Sequence, residues 1–416
     1  TETNPVDALF VATSASCVTG LTPFDTWTHW NYFGQAVILL LIQVGGLGMI
    51  TFTTGFTLFL HKKIGLRDMK IVKEYTGASI MNASSLIKII IFWTFLCELC
   101  GAIVMMFRFV PQFGARGIWV SMFLSISAFC NAGFDILGFI TPNNSVIDYA
   151  TDPLVSITLI VLIVLGGIGF LVVSDIYVAL KKKIRDRSIY PRLNLHTILV
   201  VNATVFLLLL GAFTFTFVEY DNTLKNYNWG ESFLASLLQS SFFRTAGFTG
   251  IPLGLMRDVS KFLSIILMFI GASPASTGGG VKTTTIVIVI ATIMSVIKGR
   301  SDTIIKDHRI SKETVYKALT ILVIAFFIVI TSVMFIDYVE MGKFSILDIV
   351  FEVVSAYSTT GSSLGITPFL SIFSKILLSF VMLVGRVGSI SLIFALSIKK
   401  KERTEIILPE GRVIVG

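Results

Sequence analysis

Long apolar runs recur along the chain and are separated by shorter polar segments. About 20 consecutive apolar residues are enough for a helix to cross roughly 30 Å of hydrocarbon. The continuous runs predict an all-α polytopic membrane protein, because the strands of a membrane barrel would instead alternate in short segments. The seven predicted spans are 34–60, 86–107, 153–180, 197–218, 262–297, 315–336 and 376–398.

Four other apolar segments are too short to cross a bilayer, and we interpret them as re-entrant helices. Each leads into a similar motif, and the motifs share a glycine that recurs at intervals of 113, 114 and 114 residues. This regular interval indicates four copies of one structural unit. The segments are 7–18, 119–130, 232–243 and 348–358, and the motifs are SASCVTGLT, SAFCNAGFD, SFFRTAGFT and SAYSTTGSS.

The unit consists of a span, a re-entrant helix, a glycine loop and a second span. Because two spans are an even number, every copy enters and leaves on the same side, and the copies are parallel around an axis along the membrane normal. The first copy lacks its leading span, and we expect one upstream of Thr1. We divide the chain into repeat one (1–70), repeat two (71–190), repeat three (191–305), repeat four (306–403) and a C-terminal tail (404–416).

Four parallel copies predict a pseudo-fourfold central pore in which the glycine loops meet. Glycine accepts positive φ readily, so successive carbonyl groups can turn toward the axis, and rings of carbonyl oxygens can replace the hydration shell of a cation. A single glycine would indicate a helix cap or a tight turn, whereas the fourfold register favours a selectivity filter. The predicted filter residues, which would bind K⁺, are Val18, Thr19, Gly20, Asn131, Ala132, Gly133, Thr245, Ala246, Gly247, Thr359, Thr360 and Gly361.

Basic residues favour one side of the predicted membrane. The net charge is +8, and 21 of the 33 Lys and Arg residues lie in four segments and at Arg412. This distribution predicts that the segments are cytoplasmic, and it argues against nucleic acid as a partner. The segments are 61–75, 181–192, 298–312 and 399–403.

No set of residues indicates an enzyme. The four cysteines suggest no disulfide framework, and the four histidines stand alone, so we expect no protein metal site. Neither an HExxH motif nor paired His and Asp residues occur within the predicted spans. We therefore expect a transport function and no organic cofactor in this chain.

The apolar run 262–297 is interrupted at 271–285 by GASPASTGGGVKTTT. One helix over the whole run would be about 54 Å long, which is too long for one crossing. We predict an unwound loop within the membrane and interpret it as the gate of the pore; a static kink is the alternative, and a phosphate-binding loop is disfavoured because Val281 separates the glycines from Lys282. The predicted gate residues are Gly271, Ser273, Ser276, Thr277, Gly278, Gly279, Gly280, Lys282 and Arg386.

Arg386 belongs to the gate prediction although it lies in another run, 376–398. A charge in the middle of a span is costly and usually marks function. We interpret Arg386 as a donor to carbonyl or hydroxyl groups of the 271–285 loop that holds the gate closed. A structural arginine that caps helix ends is the alternative.

Three acidic residues are further candidates. Asp25 and Asp135 follow their filter glycines and either attract cations to the outer mouth or are ordinary solvated charges. Glu98 lies within a predicted span and needs a partner, for which Arg244 is the candidate.

Several motifs resemble those of the Trk/Ktr/HKT superfamily of cation transporters, and the resemblance covers nearly the whole chain. These proteins have four membrane–pore–membrane units in one polypeptide, with one filter glycine in each. The short inner loops resemble the Ktr branch, and so a KtrB- or KtrD-like ion-translocating subunit. The motifs that carry the resemblance are SASCVTGL, NAGFD, RTAGF, GASPASTGGGVKTT and VGRVG.

This resemblance implies potassium uptake across a bacterial plasma membrane, often sodium-dependent. It also implies a homodimer with one pore per protomer, embedded in the lipid bilayer and docked on a cytoplasmic ring of nucleotide-binding RCK subunits similar to KtrA or KtrC. A Na⁺-coupled secondary cation transporter with broken helices is the alternative function.

Overall fold

Four short helices lie where re-entrant helices are predicted. The computed structural model of the chain describes residues 3–48, 83–185 and 193–388. Each short helix leads into one of the four glycine motifs, and at about 1.5 Å per residue each is too short to cross a bilayer. We name them pore helices one to four: Pro5–Ser16, Ala115–Phe129, Trp229–Phe242 and Ile346–Tyr357.

Local chemistry sets where the pore helices begin. Asn4 precedes a proline and accepts a hydrogen bond from the Val6 N–H, and Ser345 accepts one from the Asp348 N–H. Such side chains satisfy N–H groups that have no partner within the helix. Gly114, with a φ of 60°, turns the chain sharply before pore helix two.

Three long helices precede pore helices two, three and four, and each is long and apolar enough to cross a membrane alone. Large apolar side chains remain exposed on their surfaces; Phe107 is 72% exposed and Phe217 is 68% exposed. In a spanning helix such side chains face lipid. These leading helices are Ala83–Phe113, Leu195–Glu219 and Lys312–Glu340.

The predicted span over 153–180 is broken and not one continuous helix. The structure divides it into Pro153–Gly167 and Phe170–Arg185, and the two helices are bent by 95°. Gly169 has a φ of 95°, which ends a right-handed helix, and the Phe170 N–H bonds to a carbonyl outside the helix. The sequence GGIG at 166–169 therefore breaks the helix.

Related glycines end the helices of repeats one and four. The predicted runs 34–60 and 376–398 begin as Tyr32–Leu47 and Ile372–Val387, which end at Gly48 (φ 78°) and Gly388 (φ 87°). Several predictions lie outside the described residues: 49–60 and 389–398 of these runs, the basic segments 61–75, 186–192 and 399–403, the repeat boundaries near 70 and 190, and the tail 404–416 with Arg412.

In repeat three the predicted break is present, with one difference in its extent. Helix Asp258–Phe269 ends before it, and helix Thr283–Ile297 begins after it, so the last three residues of the predicted loop 271–285 are helical. Ile270 and Val281 pair across the base of the loop as an isolated parallel bridge. We refer to residues 270–282 as the intramembrane loop.

Helices of neighbouring repeats pack in a closed cycle. Pore helices two, three and four contact, respectively, the helices Tyr32–Leu47, Pro153–Gly167 and Asp258–Phe269 of the preceding repeats. The helix Ile372–Val387 of repeat four contacts pore helix one, which closes the cycle. At this junction Lys375 Nζ lies 2.7 Å from the Asp7 carboxylate, and both side chains are largely buried.

Glycines allow the helix that follows each filter loop, which we call the second helix of its repeat, to pack directly on the end of a pore helix. In repeats one, two and four the second helices are Tyr32–Leu47, Pro153–Gly167 and Ile372–Val387. A Cβ atom on Gly166 would overlap the carbonyl oxygen of Phe129. Gly45 has the same relation to Ser16, and Gly385 to Tyr357. The three carbonyl groups belong to residues four positions before a filter glycine, so the close contacts recur in register.

Buried carboxylates fasten the outer ends of two helices. Glu340, which is fully buried, ends the leading helix of repeat four and accepts hydrogen bonds from the Ser371 N–H (2.8 Å) and the Ser374 hydroxyl (2.6 Å). Glu219 accepts from the Arg257 N–H (2.9 Å) at the corresponding place in repeat three. The two carboxylates thus cap the N-termini of helices Ile372–Val387 and Asp258–Phe269, which follow the pore helices of their repeats.

Replacing Gly166 by alanine should destabilise the fold. The added methyl group must displace the pore-helix carbonyl, and overpacking of this kind costs about 1–3 kcal/mol. We expect G166A to lose monodisperse protein at a lower temperature than the wild type when detergent-solubilised samples are heated and analysed by size exclusion. Gly230 is the control, because a Cβ atom there meets nothing within 4 Å. Equal heat tolerance of G166A and wild type would contradict the packing described here.

Candidate ion pore

Every pore helix ends in the same type of backbone turn. The residue two positions before the filter glycine has a positive φ in all four repeats, and so does the glycine itself. Positive φ is disfavoured for β-branched residues, so Val18, Thr245 and Thr359 are held in place by their surroundings. The φ angles are 57°, 59°, 67° and 51° for Val18, Asn131, Thr245 and Thr359, and 100°, 70°, 73° and 92° for Gly20, Gly133, Gly247 and Gly361.

A serine six residues before each filter glycine was missed as a candidate. The Ser14 hydroxyl accepts a hydrogen bond from the Gly20 N–H, and the Ser355 hydroxyl accepts one from the Gly361 N–H, both at 3.0 Å. In repeats one and four, the serine thus holds the filter backbone from within the pore helix. Ser127 instead donates to the carbonyl of Phe134, and Ser241 donates to the carbonyl of Leu238 within its own helix. The signal was present, since serine is the first letter of all four quoted motifs: Ser14, Ser127, Ser241 and Ser355.

The four filter glycines lie side by side in a ring. A Cβ atom on Gly20 would lie 2.5 Å from the carbonyl oxygen of Ala132, and one on Gly133 would lie 2.7 Å from that of Ala246. No real Cβ atom tolerates such distances, so only glycine fits. Two further overlaps of the same kind, of Gly247 with Thr360 and of Gly361 with Thr19, complete the ring in the order of the repeats.

A cavity of about 610 Å³ opens on one side of this ring. Its walls include all four filter glycines and the loops that follow them, among them the residues Asp25 and Asp135. Both predicted outer-mouth residues therefore lie in one cavity with the ring. We refer to this cavity as the vestibule.

The two vestibule carboxylates have different surroundings. Asp25 accepts hydrogen bonds from the N–H groups of Thr28 (2.9 Å) and Asn143 (3.0 Å), so it also organises the loop. Asp135 accepts one from the Leu137 N–H at 3.1 Å. Desolvation is the main reason that the pKa of Asp135 is raised to about 6, and the Asp25 carboxylate adds to the rise.

The intramembrane loop lies on the opposite side of the ring. The Gly279 N–H donates to the Thr359 hydroxyl (3.0 Å), and a Cβ atom on Gly278 would overlap the Thr245 hydroxyl. Thr245 and Thr359 stand before their filter glycines, whereas the vestibule is lined by residues after them. The loop thus contacts the filters of repeats three and four from the side remote from the vestibule.

Repeat two anchors the loop through its bent helix. Three backbone hydrogen bonds join them: Ser273 N–H to Gly167 O (3.1 Å), Thr277 N–H to Gly166 O (3.3 Å) and Phe170 N–H to Ala275 O (2.8 Å). The Thr277 hydroxyl also lies 3.3 Å from the carbonyl oxygen of Phe129. The 95° bend therefore exposes backbone groups that the loop satisfies.

Polar side chains of the loop bind mainly its own backbone. Lys282 Nζ donates to the carbonyl of Gly278 at 2.6 Å, and the Ser276 hydroxyl donates to the carbonyl of Ser273 at 2.6 Å. Gly271 packs against Gly279, since a Cβ atom would overlap the Gly279 carbonyl. These contacts satisfy backbone groups that have no helical partner.

Arg386 joins the loop to repeat one. Its guanidinium donates through Nη1 to the carbonyl of Thr277 and through Nη2 to the carbonyl of Gly45. The Gly46 carbonyl lies 3.5 Å from Nη2. The loop of repeat three therefore contacts repeats two and four directly and is linked to repeat one through the guanidinium of Arg386.

The suggested pairing of Glu98 with Arg244 is wrong. Glu98 accepts a hydrogen bond from Gln43 Nε2 (3.0 Å) and lies 3.6 Å from the sulfur of Cys130. Arg244 is buried and donates instead to the carbonyl of Ile270 (3.4 Å) at the start of the intramembrane loop. Hydropathy places both residues at membrane depth but does not reveal which helix faces they occupy.

A family model described as "Cation transport protein", TrkH, matches residues 2–405. The chain belongs to the TrkH family of cation transport proteins. It is a multi-pass membrane protein, as expected from its apolar runs. The TrkH potassium transporter of Vibrio parahaemolyticus has a similar solved structure, with a TM-score of 0.73 at 16% identity over 95% of this chain and 79% of that one.

Curated relatives are similar over nearly their full length. Ktr system potassium uptake protein B of Bacillus subtilis is 36% identical over 99% of this chain and 89% of its own. Protein B of the Ktr system of Vibrio alginolyticus is 33% identical, over 99% and 88%. The potassium/sodium uptake protein NtpJ of Enterococcus hirae is 33% identical, over 100% and 90%.

Acidification of the outer solution should reduce cation uptake, because it protonates the Asp135 carboxylate in the vestibule. A carboxyl with a raised pKa stays protonated up to about pH 6, so it attracts cations only above that pH. We expect uptake at low cation concentration to fall as the external pH drops through this value, and D135N to have low, pH-independent uptake. His29 lines the same vestibule, and burial lowers its pKa. The variant H29Q therefore tests how much of the pH dependence of uptake comes from His29. A wild-type pH profile in D135N would exclude this role.

Proposed function

We propose that this chain is the pore-forming subunit of a potassium uptake system. The ring of four filter glycines beneath an open vestibule is the observation that carries the proposal. Backbone groups of Thr19, Ala132, Ala246 and Thr360 meet at this ring, and carbonyl oxygens suit a dehydrated monovalent cation. The names of the Ktr relatives support K⁺ as the cation, and the NtpJ name makes Na⁺ a second candidate.

The intramembrane loop is proposed as the gate of this pore. Its position on the inner side of the filters supports that role, because a conducted ion leaving the filter would meet residues 277–280. Arg386 adds a positive charge and two hydrogen bonds to carbonyls, one of which belongs to the loop. A cation would be repelled there, and the loop is fastened across the path.

The assembly is also part of the proposal. We infer a homodimer with one pore per protomer in a bacterial plasma membrane, docked on a cytoplasmic ring of nucleotide-binding subunits. The relatives named as proteins of a Ktr system support a multicomponent assembly. The exposed apolar faces of the leading helices are suited to lipid and to a second protomer.

Rubidium uptake into proteoliposomes tests the pore directly. We expect purified protein to accumulate radioactive rubidium under an outward K⁺ gradient, which makes the vesicle interior negative, and G133S to lose most of the activity. A side chain at Gly133 must displace a filter carbonyl, and a penalty of about 1–3 kcal/mol corresponds to a loss of uptake of about 5- to 150-fold. A Cβ atom on Gly254 would lie 3.7 Å from its nearest neighbour, so G254S is the matched control.

Two results would argue against a pore. Undiminished uptake by folded G133S would remove the filter from the transport path. Uptake that is strictly coupled to a fixed number of counter-moving or co-moving ions, and that stops when Na⁺ is withdrawn, would favour the Na⁺-coupled carrier instead.

Replacing Arg386 by alanine should accelerate uptake. The substitution removes the charge-assisted hydrogen bond to the loop carbonyl of Thr277, worth about 1.5–3 kcal/mol, so a rise of about tenfold or more in the initial rate is expected. The Rb⁺/Na⁺ ratio should stay unchanged, because the filter is untouched. Arg108, which pairs with Asp152 at 2.5 Å, is the control arginine, and R108A should retain the wild-type rate. Slower uptake by well-folded R386A would count against a closing role.

A further inference from the structure

Pore helix four carries a carboxyl group where the other pore helices carry an apolar side chain. Glu352 lies nine residues before Gly361 and is only 1% exposed. Burial of a carboxyl group costs free energy unless hydrogen bonds compensate it, so the residue is not explained by packing alone. At the same distance before the other filter glycines stand Val11, Leu124 and Leu238, all buried.

Glu352 connects the pore helix to the loop that follows the fourth filter. The Thr367 hydroxyl donates to Glu352 Oε1 and lies 3.0 Å from the hydroxyl of Ser363. Ser363 in turn accepts a hydrogen bond from the Gly365 N–H at 3.0 Å. Ser363, Gly365 and Thr367 all line the vestibule. The connection therefore runs from the buried helix to the vestibule wall.

The fourth filter loop is thereby held at two points of one helix. Ser355 binds the N–H of Gly361, and Glu352, three residues earlier, binds Thr367 beyond the glycine. Repeat one shares only the first contact, between Ser14 and Gly20, because Val11 cannot accept a hydrogen bond. Glu352 thus supplies repeat four with a second point of attachment.

The residue next to the fourth filter glycine lacks the apolar side chain that its counterparts have. The residue after the fourth filter glycine is Ser362, which is fully buried and whose hydroxyl has no hydrogen-bond partner among the described residues. Oε2 of Glu352 likewise has no partner among them. The corresponding residues of repeats one to three are large and apolar: Leu21, Phe134 and Phe248.

We propose that Glu352 is a positioning residue that determines ion specificity. Its hydrogen bond to Thr367 keeps the fourth filter loop at the spacing that favours K⁺ over the smaller Na⁺. Selectivity of a carbonyl filter depends on the number and spacing of its oxygens, so release of one loop in four alters it. The inference rests on the proposed potassium pore and names the contact that sets its preference.

A double-mutant cycle in proteoliposomes tests this role, with the ratio of Rb⁺ to Na⁺ uptake as the readout. E352L introduces the residue of repeats two and three, and T367V removes the hydroxyl while keeping the shape. Each should lower the ratio by about tenfold, the usual effect of losing one hydrogen bond to a charged group. The double variant should fall no further, because both changes remove one interaction. E352Q, which keeps an acceptor, and T367S, which keeps a donor, should lie nearer to wild type.

Glu340 provides the control carboxylate. It is also buried in repeat four, but it binds Ser371 and Ser374 at the outer end of a helix. E340Q should lower heat tolerance and leave the uptake ratio unchanged. Folded E352L and T367V with wild-type ratios, or additive effects in the double variant, would overturn the inference. If wild-type protein shows no uptake that depends on Gly133, the proposed pore fails instead.

Discussion

The architecture depends on the absence of side chains at four glycines. Each filter glycine lies against the carbonyl group that precedes the next one, at a distance that a Cβ atom cannot occupy. Because the contacts follow the order of the repeats and return from Gly361 to Thr19, the ring is closed. A larger residue at any position would push one loop outward, and a filter built from backbone oxygens would lose its common centre.

Glycines also allow close packing outside the ring, between the pore helices and the second helices. Gly45, Gly166 and Gly385 let the second helices approach the carbonyl groups at the ends of pore helices one, two and four. In repeat three the corresponding glycine, Gly271, packs on the intramembrane loop itself. Three repeats therefore use this position to support a pore helix, and the third uses it to fold the segment that lies under the filter.

Much of this arrangement could be predicted from the sequence. A motif that repeats at a constant interval can be recognised without knowing which helix faces or side chains contact each other. The positions of Gly20, Gly133, Gly247 and Gly361, the four short helices and the break after Phe269 all follow from spacing and length. The bend at Gly169 was not predicted, and the partner of Glu98 was predicted wrongly. Hydropathy reports depth in the membrane, whereas bends and partners depend on which face of a helix meets its neighbour.

Departures from fourfold symmetry lie at the contacts proposed for gating and for ion specificity. Four identical loops can surround an ion. Four identical repeats, however, would contain neither one segment that closes the pore nor one contact that changes the spacing of the ring. Repeat three departs by unwinding its second helix, and repeat four departs by contributing Arg386 to the loop and Glu352 to the fourth filter. Ser362 stands where the other repeats have Leu21, Phe134 and Phe248, so under the proposed role of Glu352 the loop of repeat four is the one whose attachment sets the spacing of the filter.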